Sequence, residues 1–500
     1  MFFLILIIFS VIQPQGLDLH ENFYDRVSKE IKSIQNNSVS ENLFFYPLKE
    51  QKKKSYYDFL NNSINNLTIS PVLGIRISNS GYEINSMTPN PIIWISPGLN
   101  LSFNKVILNS LNPIWFFGDF SFSKHSAYGI KNDLHMETDN TFDINNDKLL
   151  FQYNPDISFP FYSNVKQSNG NGIDFDETLN YISILNKNFD ITFGNFRSSL
   201  GPSFYSNLSI SQNIPAFNQV RFYYKHKDKL FFSFITGDLY SGIIDSNIYY
   251  DETRSGILPK KFFNHRIDLK LLKNLRLGFY EQIIKLSSSP SFSYHNPISF
   301  YWSEQHRNGD VDNLQIGFDF DYIYKNNRFY GGLLIDEWSP YNTFSDNHHN
   351  WFAHQLGYSK IFNLKSNNSI IKIEISKAMP QVYKHKFEIN NFTHHGYNLG
   401  LWSGGDSIDK RLNLIIFLDK YILDIGFNKT KIGEPKYEEN LTFLSSEEIK
   451  IREYSYISFT KTIFSNIGFN FKVGYYNTEN LYSDNNFIDV STSLIYNIQN

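Results

Sequence analysis

Apolar residues fall at every second position along most of this 500-residue chain, and that period constrains the fold more than any other feature. Leu314, Ile316, Phe318, Phe320, Tyr322 and Tyr324 are interleaved with Gln315, Gly317, Asp319 and Asp321; a tight Lys325-Asn326-Asn327 break follows, then another strand to Trp338. A period of two is a β-strand with one oily and one polar face. The unit recurs from about residue 71 to the end, its halves joined by very short turns and successive units by long polar loops. Such lopsided connectivity is expected of a membrane-spanning barrel, with brief turns on the periplasmic side and long loops outside.

No Pro/Ser-rich linker or change of composition divides the chain after residue 71, so one large domain is expected there. Aromatic residues make up 17% of the chain, with 47 Phe and 33 Tyr, mostly in the alternating stretches, as lipid-facing bands and interfacial girdles require. A formal net charge of -3 gives no reason to expect a nucleic-acid partner. The chain has no Cys, which excludes disulfides and thiolate metal sites.

Phe2 to Ile12 is one apolar run, too short to span a bilayer as a helix and followed at once by Gln13, Gln15 and Asp18. It reads as a secretory leader over residues 1–16, with a buried N-terminal strand or helix as the alternative. Phe23, Val27 and Ile31 then fall at four-residue spacing, with Tyr24 and Ile34 nearby and Asp25, Arg26, Lys29, Glu30 and Lys32 on the other faces. That is an amphipathic helix, and a second is expected at Ser55 to Asn61 after the basic run Lys52-Lys53-Lys54, itself read as a solvated face. Residues 17–68 are thus expected as a small helical extension on the periplasmic side, and residues 69–500 as the barrel.

Strands are expected near 71–80, 92–104 and 113–124, then as pairs 173–184 with 189–196, 216–225 with 230–238, 262–271 with 275–286 and 312–324 with 328–338. The pairs 350–362 with 370–379, 410–417 with 421–431 and 449–463 with 467–477 follow, with a last strand at 486–498. The expected fold class is therefore all-β: a transmembrane antiparallel barrel of about eighteen strands with a small N-terminal periplasmic helical segment. Asp268, Lys270, Arg276, Asp319 and Asp321 lie on the polar face. Turning it to lipid would cost roughly 2–4 kcal/mol per Lys or Arg at mid-depth, so that face must line a wet or plugged interior. A soluble sandwich with a polar exterior is the bland alternative, because alternation alone does not say which face is inside.

The long connections carry the unusual clusters: Arg197 to Pro215, Ser287 to Val311 and Met379 to Asp409, all expected at one mouth of the barrel. The sequence resembles the Wzi-type outer-membrane capsule-assembly proteins in Phe193-Gly194 through Gly201-Pro202 and Pro215-Phe217, in Glu304-Gln305 with Asn308-Gly309-Asp310 and Asp312-Asn313, in Leu334-Ile335-Asp336-Glu337-Trp338, and in Thr393-His394 through Asp406-Ser407 and Asp409. It differs from the usual barrel pattern at Tyr496 to Asn500, which lacks a terminal aromatic residue. The resemblance implies an eighteen-stranded barrel that acts as a lectin, holding surface or capsular polysaccharide at the cell exterior.

Sugar rings offer apolar faces to aromatic side chains and hydroxyls to carboxylates, amides and guanidinium groups. Tyr301 and Trp302 are candidates for stacking; Glu304, Gln305, Arg307, Asn308 and Asp310 for hydrogen bonding; Asp336, Glu337, His394, Asp406 and Asp409 complete the candidate surface. Each has a plainer reading, as girdle aromatics, a turn at Asn308-Gly309-Asp310 and a rim charge pair at Asp336-Glu337. Asp310, Asp312 and Asn313 offer oxygen ligands but lack calcium-loop spacing, and the adjacent pairs His348-His349 and His394-His395 are no ready chelates. No metal or cofactor is expected. Two other classes stay open. A hydrolase would draw on Ser198, Ser199, His394, Asp336 and Glu337, although no nucleophile-elbow sequence occurs; a porin or transporter would also line its wall with mixed charge, unless loops such as His125 to Asn171 fold inward. The expected partners are polysaccharide and outer-membrane lipid, and the expected state a monomer in the outer membrane of a Gram-negative-type bacterium.

Overall fold

The computed structural model describes residues 15–44, 66–78, 92–108, 114–128, 165–168, 172–212, 214–251, 254–287, 293–337, 350–364, 367–418, 421–437, 443–444, 449–464, 467–480 and 483–497. The apolar leader run, the helix expected at 55–61 with its preceding lysines, Trp338 and His348-His349 lie outside the described residues, as does most of the loop from His125 to Asn171. Helix α1 spans Gln15–Gln35 and α2 Tyr301–Arg307. The strands are β1 Asn66–Ser78, β2 Ile92–Leu108, β3 Ile114–Tyr128, β4 Val165–Ser168, β5 Gly172–Leu185, β6 Phe189–Phe196, β7 Phe217–His226, β8 Leu230–Asp251, β9 Arg254–Leu272, β10 Leu275–Leu286, β11 Asn313–Tyr324 and β12 Asn327–Asp336. Then come β13 Trp351–Leu364, β14 Asn367–Ala378, β15 Thr393–His394, β16 Tyr397–Asn398, β17 Ser407–Leu418, β18 Tyr421–Ile432, β19 Lys450–Phe464, β20 Ile467–Asn480 and β21 Ser483–Asn497.

Eighteen of these strands close into one antiparallel barrel. Consecutive wall strands pair, and β1 closes the ring against β21 from Val72↔Asn497 to Ser78↔Ser491. Short β4 adds to β5 outside the ring, and β15 with β16 forms a separate small hairpin. Turns of two or three residues join β5–β6, β7–β8, β9–β10, β11–β12, β13–β14, β17–β18 and β19–β20 at one end. Lys227 and Asp228 both take positive φ, 50° and 52°, the twist a tight hairpin needs. The expected pairs are all present; β8 and β9 run further than alternation implied, as a hairpin reaching Asp251 and Arg254.

Burial settles which face is inside. On β11, Phe318 is 47% exposed while its neighbours Asp319 and Asp321 are buried. Ile191, Phe193, Ile267, Leu269, Leu277, Ile373, Ile375, Phe427 and Ile457 are exposed as well, whereas Arg266, Arg276, Arg328, Lys372, Glu374 and Asp424 are buried. Oily side chains thus face outward and charged ones inward, the reverse of a soluble sandwich and the arrangement that a bilayer requires. No described helix is long and apolar enough to cross a membrane.

The lumen alongside β8–β17 is filled in three levels. At the tight-turn end lies α1, tied by Val39 N–H to Lys273 O at 3.0 Å and by Gln35 Nε2 to Asn368 Oδ1 at 3.2 Å. Its Tyr24, Val27, Ile31 and Ile34 join one buried cluster with the inward Ile323, Ile361 and Ile370. Above it, the connection after β6 turns inward: Arg26 Nη2 donates to Ser203 O (3.0 Å), Gln355 Nε2 to Ser206 O (2.8 Å) and Ser209 Oγ to Gln282 Oε1 (2.7 Å). Leu200, Phe204, Leu208, Ile210 and Ile214 are its buried apolar side chains. The connection from Met379 to Asp406 closes the third level, with Tyr383 Oη donating to Leu208 O (2.8 Å) and Ser211 N–H to Leu399 O (2.8 Å).

Two charge groups in this interior are paired. Arg266 bridges Asp268 and Asp319 at 2.6–2.8 Å, and Arg276 reaches the same two carboxylates. Arg328 holds Asp321 at 2.7 and 2.9 Å and Glu30 of α1 at 2.9 Å, and Lys372 completes that set on Glu30. Two acids balance two bases in each group. The charged faces of α1 therefore meet protein wall as well as solvent, which sequence periodicity did not distinguish.

Candidate functional site

The long connections do not all converge at one mouth. Strand parity decides this: on β10 the even residues Arg276, Tyr280 and Gln282 point inward, so Glu281 and Ile283 point outward, as does their β9 neighbour His265. The chain from Ser293 to Val311 folds down over this outer wall. Glu281 Oε2 takes the Tyr301 N–H at 2.9 Å and lies 2.8 Å from His265 Nε2, while the Tyr301 ring stacks on His265 at 4.1 Å. Tyr301 is 0% exposed and packs with Phe263, Ile283, Tyr294, Leu314 and Ile316. Trp302, half-buried, packs on Phe300 and His306. Gln305 donates to Asp312 O at 2.7 Å, so two of the sequence candidates hold this loop to the wall. Glu304 and Arg307 pair at 2.7 Å near its surface, and Asn308 is exposed.

Four further candidates act as clamps. Asp336 Oδ2 accepts Tyr383 N–H and Gln315 Nε2, both at 2.7 Å, and so ties β12 to the lumen-closing connection. His394 Nδ1 accepts Tyr240 N–H at 2.9 Å, which puts the proton on Nε2, 3.4 Å from Ala216 O. Burial holds this imidazole well below the usual range, hence neutral. Asp406 takes positive φ (48°) and accepts Leu444 N–H at 2.7 Å. Asp409 is saturated: Asn428, Thr430, Arg411 and Trp402 Nε1 all donate to it, at 2.7, 2.7, 2.8 and 3.1 Å.

The remaining two, Asp310 and Glu337, meet at the outer rim. Lys386 Nζ donates to Asp310 O at 3.2 Å, Asn390 Nδ2 donates to Val311 O at 2.8 Å, and Glu337 Oε1 lies 3.4 Å from His385 Nε2. Burial first, then the Asp310 charge, pushes the Glu337 carboxyl up to about 7. Burial drops His385 to about 4, so the imidazole is neutral where Glu337 titrates. Beside them Phe387 is 47% exposed with Lys386 Nζ 5.3 Å from its ring, and Glu388 is exposed too. This rim offers an aromatic face, a cation, carboxylates and peptide groups within one patch. Sequence reasoning missed His385, Lys386 and Phe387, although the polar run Lys384 to Glu388 with one Phe inside it was the available signal.

Several of the groups considered for catalysis or metal binding are engaged in other contacts. Ser198 Oγ donates to Gln219 at 2.7 Å, and the two His394 nitrogens face backbone groups. His395 stacks flat on Tyr240 at 4.2 Å, and Asp312 Oδ2 accepts the Tyr294 hydroxyl at 2.9 Å.

An oily exterior, a charged interior and a lumen occupied by its own chain define a plugged transmembrane β-barrel. The chain belongs to the capsule assembly protein Wzi family, whose model matches residues 126–486. Among solved structures it is similar to Wzi of Escherichia coli, described as an outer membrane protein involved in group 1 capsule assembly and a carbohydrate-binding β-barrel. The two share 11% identity over 98% of this chain and 99% of that one, with a TM-score of 0.56. OccAB3 of Acinetobacter baumannii (9% identity, 87% and 99% covered, TM-score 0.46) and OpdQ of Pseudomonas aeruginosa (10%, 87% and 99%, 0.46) are also similar. No curated protein sequence matches the chain.

Proposed function

We propose that this protein sits in the outer membrane and binds surface or capsular polysaccharide at the barrel end that carries the long connections, helping to hold or assemble it at the cell exterior. The observation that carries the reading is the rim patch of Asp310, Glu337, Lys386 and Phe387 on a barrel of a capsule-assembly family. Phe387 stacks on an apolar sugar face, and the carboxylates, Lys386 and exposed amides take its hydroxyls. Glu304, Arg307 and Asn308 extend the polar surface along the outer side. The role is non-enzymatic and needs no cofactor. The tight turns, both barrel termini and α1 face the periplasm, residues 1–16 are a removed leader, and the protein is a monomer.

The filled lumen supports holding over transport, because Leu200 to Ile214 and Met379 to Asp406 occupy the path a solute would take. Comparing cell-associated with shed polysaccharide in a deletion strain tests the reading. Loss of the cell-associated fraction, restored by the intact gene, is expected; an unchanged distribution sinks it.

A further inference from the structure

The Glu281–His265 pair faces the wrong way for a barrel in lipid. Glu281 lies six residues beyond Leu275, where the tight turn ends. At ~3.3 Å per residue and a ~40° tilt, it stands about 15 Å above that end, within a hydrocarbon band about 25 Å tall. On β17 to β19, Lys461 stands at the tight-turn end and the next outward charges are Lys410, Lys429 and Glu453, where Lys429 is eight residues beyond Tyr421, or about 20 Å up. A polar pair below that level meets hydrocarbon unless protein covers it, and the segment Ser293 to Val311 is the cover. That segment carries its own oily exterior: Ile298 is 84% exposed and Phe300 47%, and Pro297 O lies 3.2 Å from His265 Nδ1, two residues along β9 from the exposed Ile267 of the lipid-facing wall. Its polar side, with Arg307 70% exposed in the ion pair to Glu304, turns away to water.

We propose that Ser293 to Val311 is a bilayer anchor: it lies at the outer edge of the hydrocarbon band, puts Ile298 and Phe300 among acyl chains, and keeps Arg307 in the headgroup layer. Three features hold together under this assignment. The apolar patch continues the lipid-facing wall, the buried carboxylate–imidazole pair is shielded from hydrocarbon, and the amphipathic order of Ile298-Ser299-Phe300 against Glu304 and Arg307 matches an interface. An interfacial seat would also fix the height of the barrel and hence of the rim patch above the membrane.

The absence of Cys makes the test direct, since one introduced thiol carries one fluorophore. Ile298→Cys, Phe300→Cys, Arg307→Cys, Leu269→Cys and Lys386→Cys are labelled with an environment-sensitive dye and folded into phosphatidylcholine vesicles with and without brominated acyl chains. Brominated lipid is expected to quench labels at 298 and 300 to within about twofold of the label at 269, while aqueous iodide quenches those at 307 and 386. Labels at 298 and 300 that respond to iodide and not to bromine would place the segment in water and overturn the proposal. Labels shielded from both quenchers would overturn it in favour of a second copy of the chain on this face. Having two positions keeps the result decisive if one variant does not fold.

Discussion

Replacing Glu30 by Gln isolates what holds α1 inside the barrel. The carboxylate is fully buried and meets two cations, Arg328 at 2.9 Å and Lys372. After the change Arg328 keeps Asp321 at 2.7 and 2.9 Å, but Lys372 loses its ion pair and keeps Ser359 Oγ at 3.1 Å and the Phe204 and Tyr330 rings at 4.1 and 5.8 Å. Leaving one buried charge uncompensated costs about 3–5 kcal/mol. At about 1.4 kcal/mol per factor of ten, undocking of α1 becomes roughly 140- to 3,700-fold more frequent. Hydrogen exchange at the amides of Val27 to Ile34 in the detergent-solubilised protein reads that ratio. Adding Lys372→Met to Glu30→Gln removes the stranded charge and should recover at least half of the loss. The pH dependence has a fixed sign. Burial raises the Glu30 carboxyl, yet Lys372 and Arg328 outweigh it and hold the group at about 2 against an ordinary 4.5. Its contribution to docking is therefore complete above about 4.5 and lost as pH falls through about 2. Exchange in Glu30→Gln within threefold of the parent at pH 7 would refute the reasoning.

Glu337 titrates the other way, because its carboxyl is raised from 4.5 to about 7 and the stability it contributes is full below 4.5 and lost as pH rises through 7. Glu337→Gln should therefore stabilise the protein at pH 8.5 by about 1–3 kcal/mol and leave it unchanged at pH 4.5, in thermal melts at the two pH values; equal effects at both would contradict the assignment. Asp336→Ala strands Tyr383 N–H and Gln315 Nε2, costing about 1–3 kcal/mol for each group left unpaired, and limited proteolysis should then cut between Met379 and Asp406 faster than in the parent. In planar bilayers the parent should pass no steady current, and exchange of residues 200–211 for a Gly/Ser linker should open one; a stable parent channel argues against the filled lumen.

The wall of the barrel was legible because each strand obeys a local rule. Alternation from Leu314 to Tyr324 or from Ile371 to Ile375 requires no knowledge of distant residues, and the tight turns mark where one strand hands over to the next. The plug was not legible. Segment Leu200 to Ile214 carries no period, and its place in the lumen follows from contacts with Arg26, Glu374 and Gln355, as many as 178 residues away in sequence. The loop over the outer wall hid for a related reason: Glu281, like Lys285 four residues on, sits on the apolar parity of β10, and only its partners His265 and Tyr301 explain it. Of the candidate residues, those flanking turns and strand ends, such as Asp336 and Asp409, were picked out as polar groups in a conspicuous sequence, and the structure uses them to tie loops to the wall. The exposed rim became visible only when Asp310 and Lys386, 76 positions apart, were brought together.

Polysaccharide retention by the purified protein bears on the central claim most directly. The intact chain in lipid nanodiscs is applied to immobilised capsular polysaccharides, beside a variant carrying Asp310→Ala, Lys386→Ala and Phe387→Ala. Retention of at least one polysaccharide by the parent, weakened tenfold or more in the variant at an unchanged melting temperature, is the result predicted. No retention by the parent, or equal retention by the variant, would contradict a glycan-holding surface at this rim.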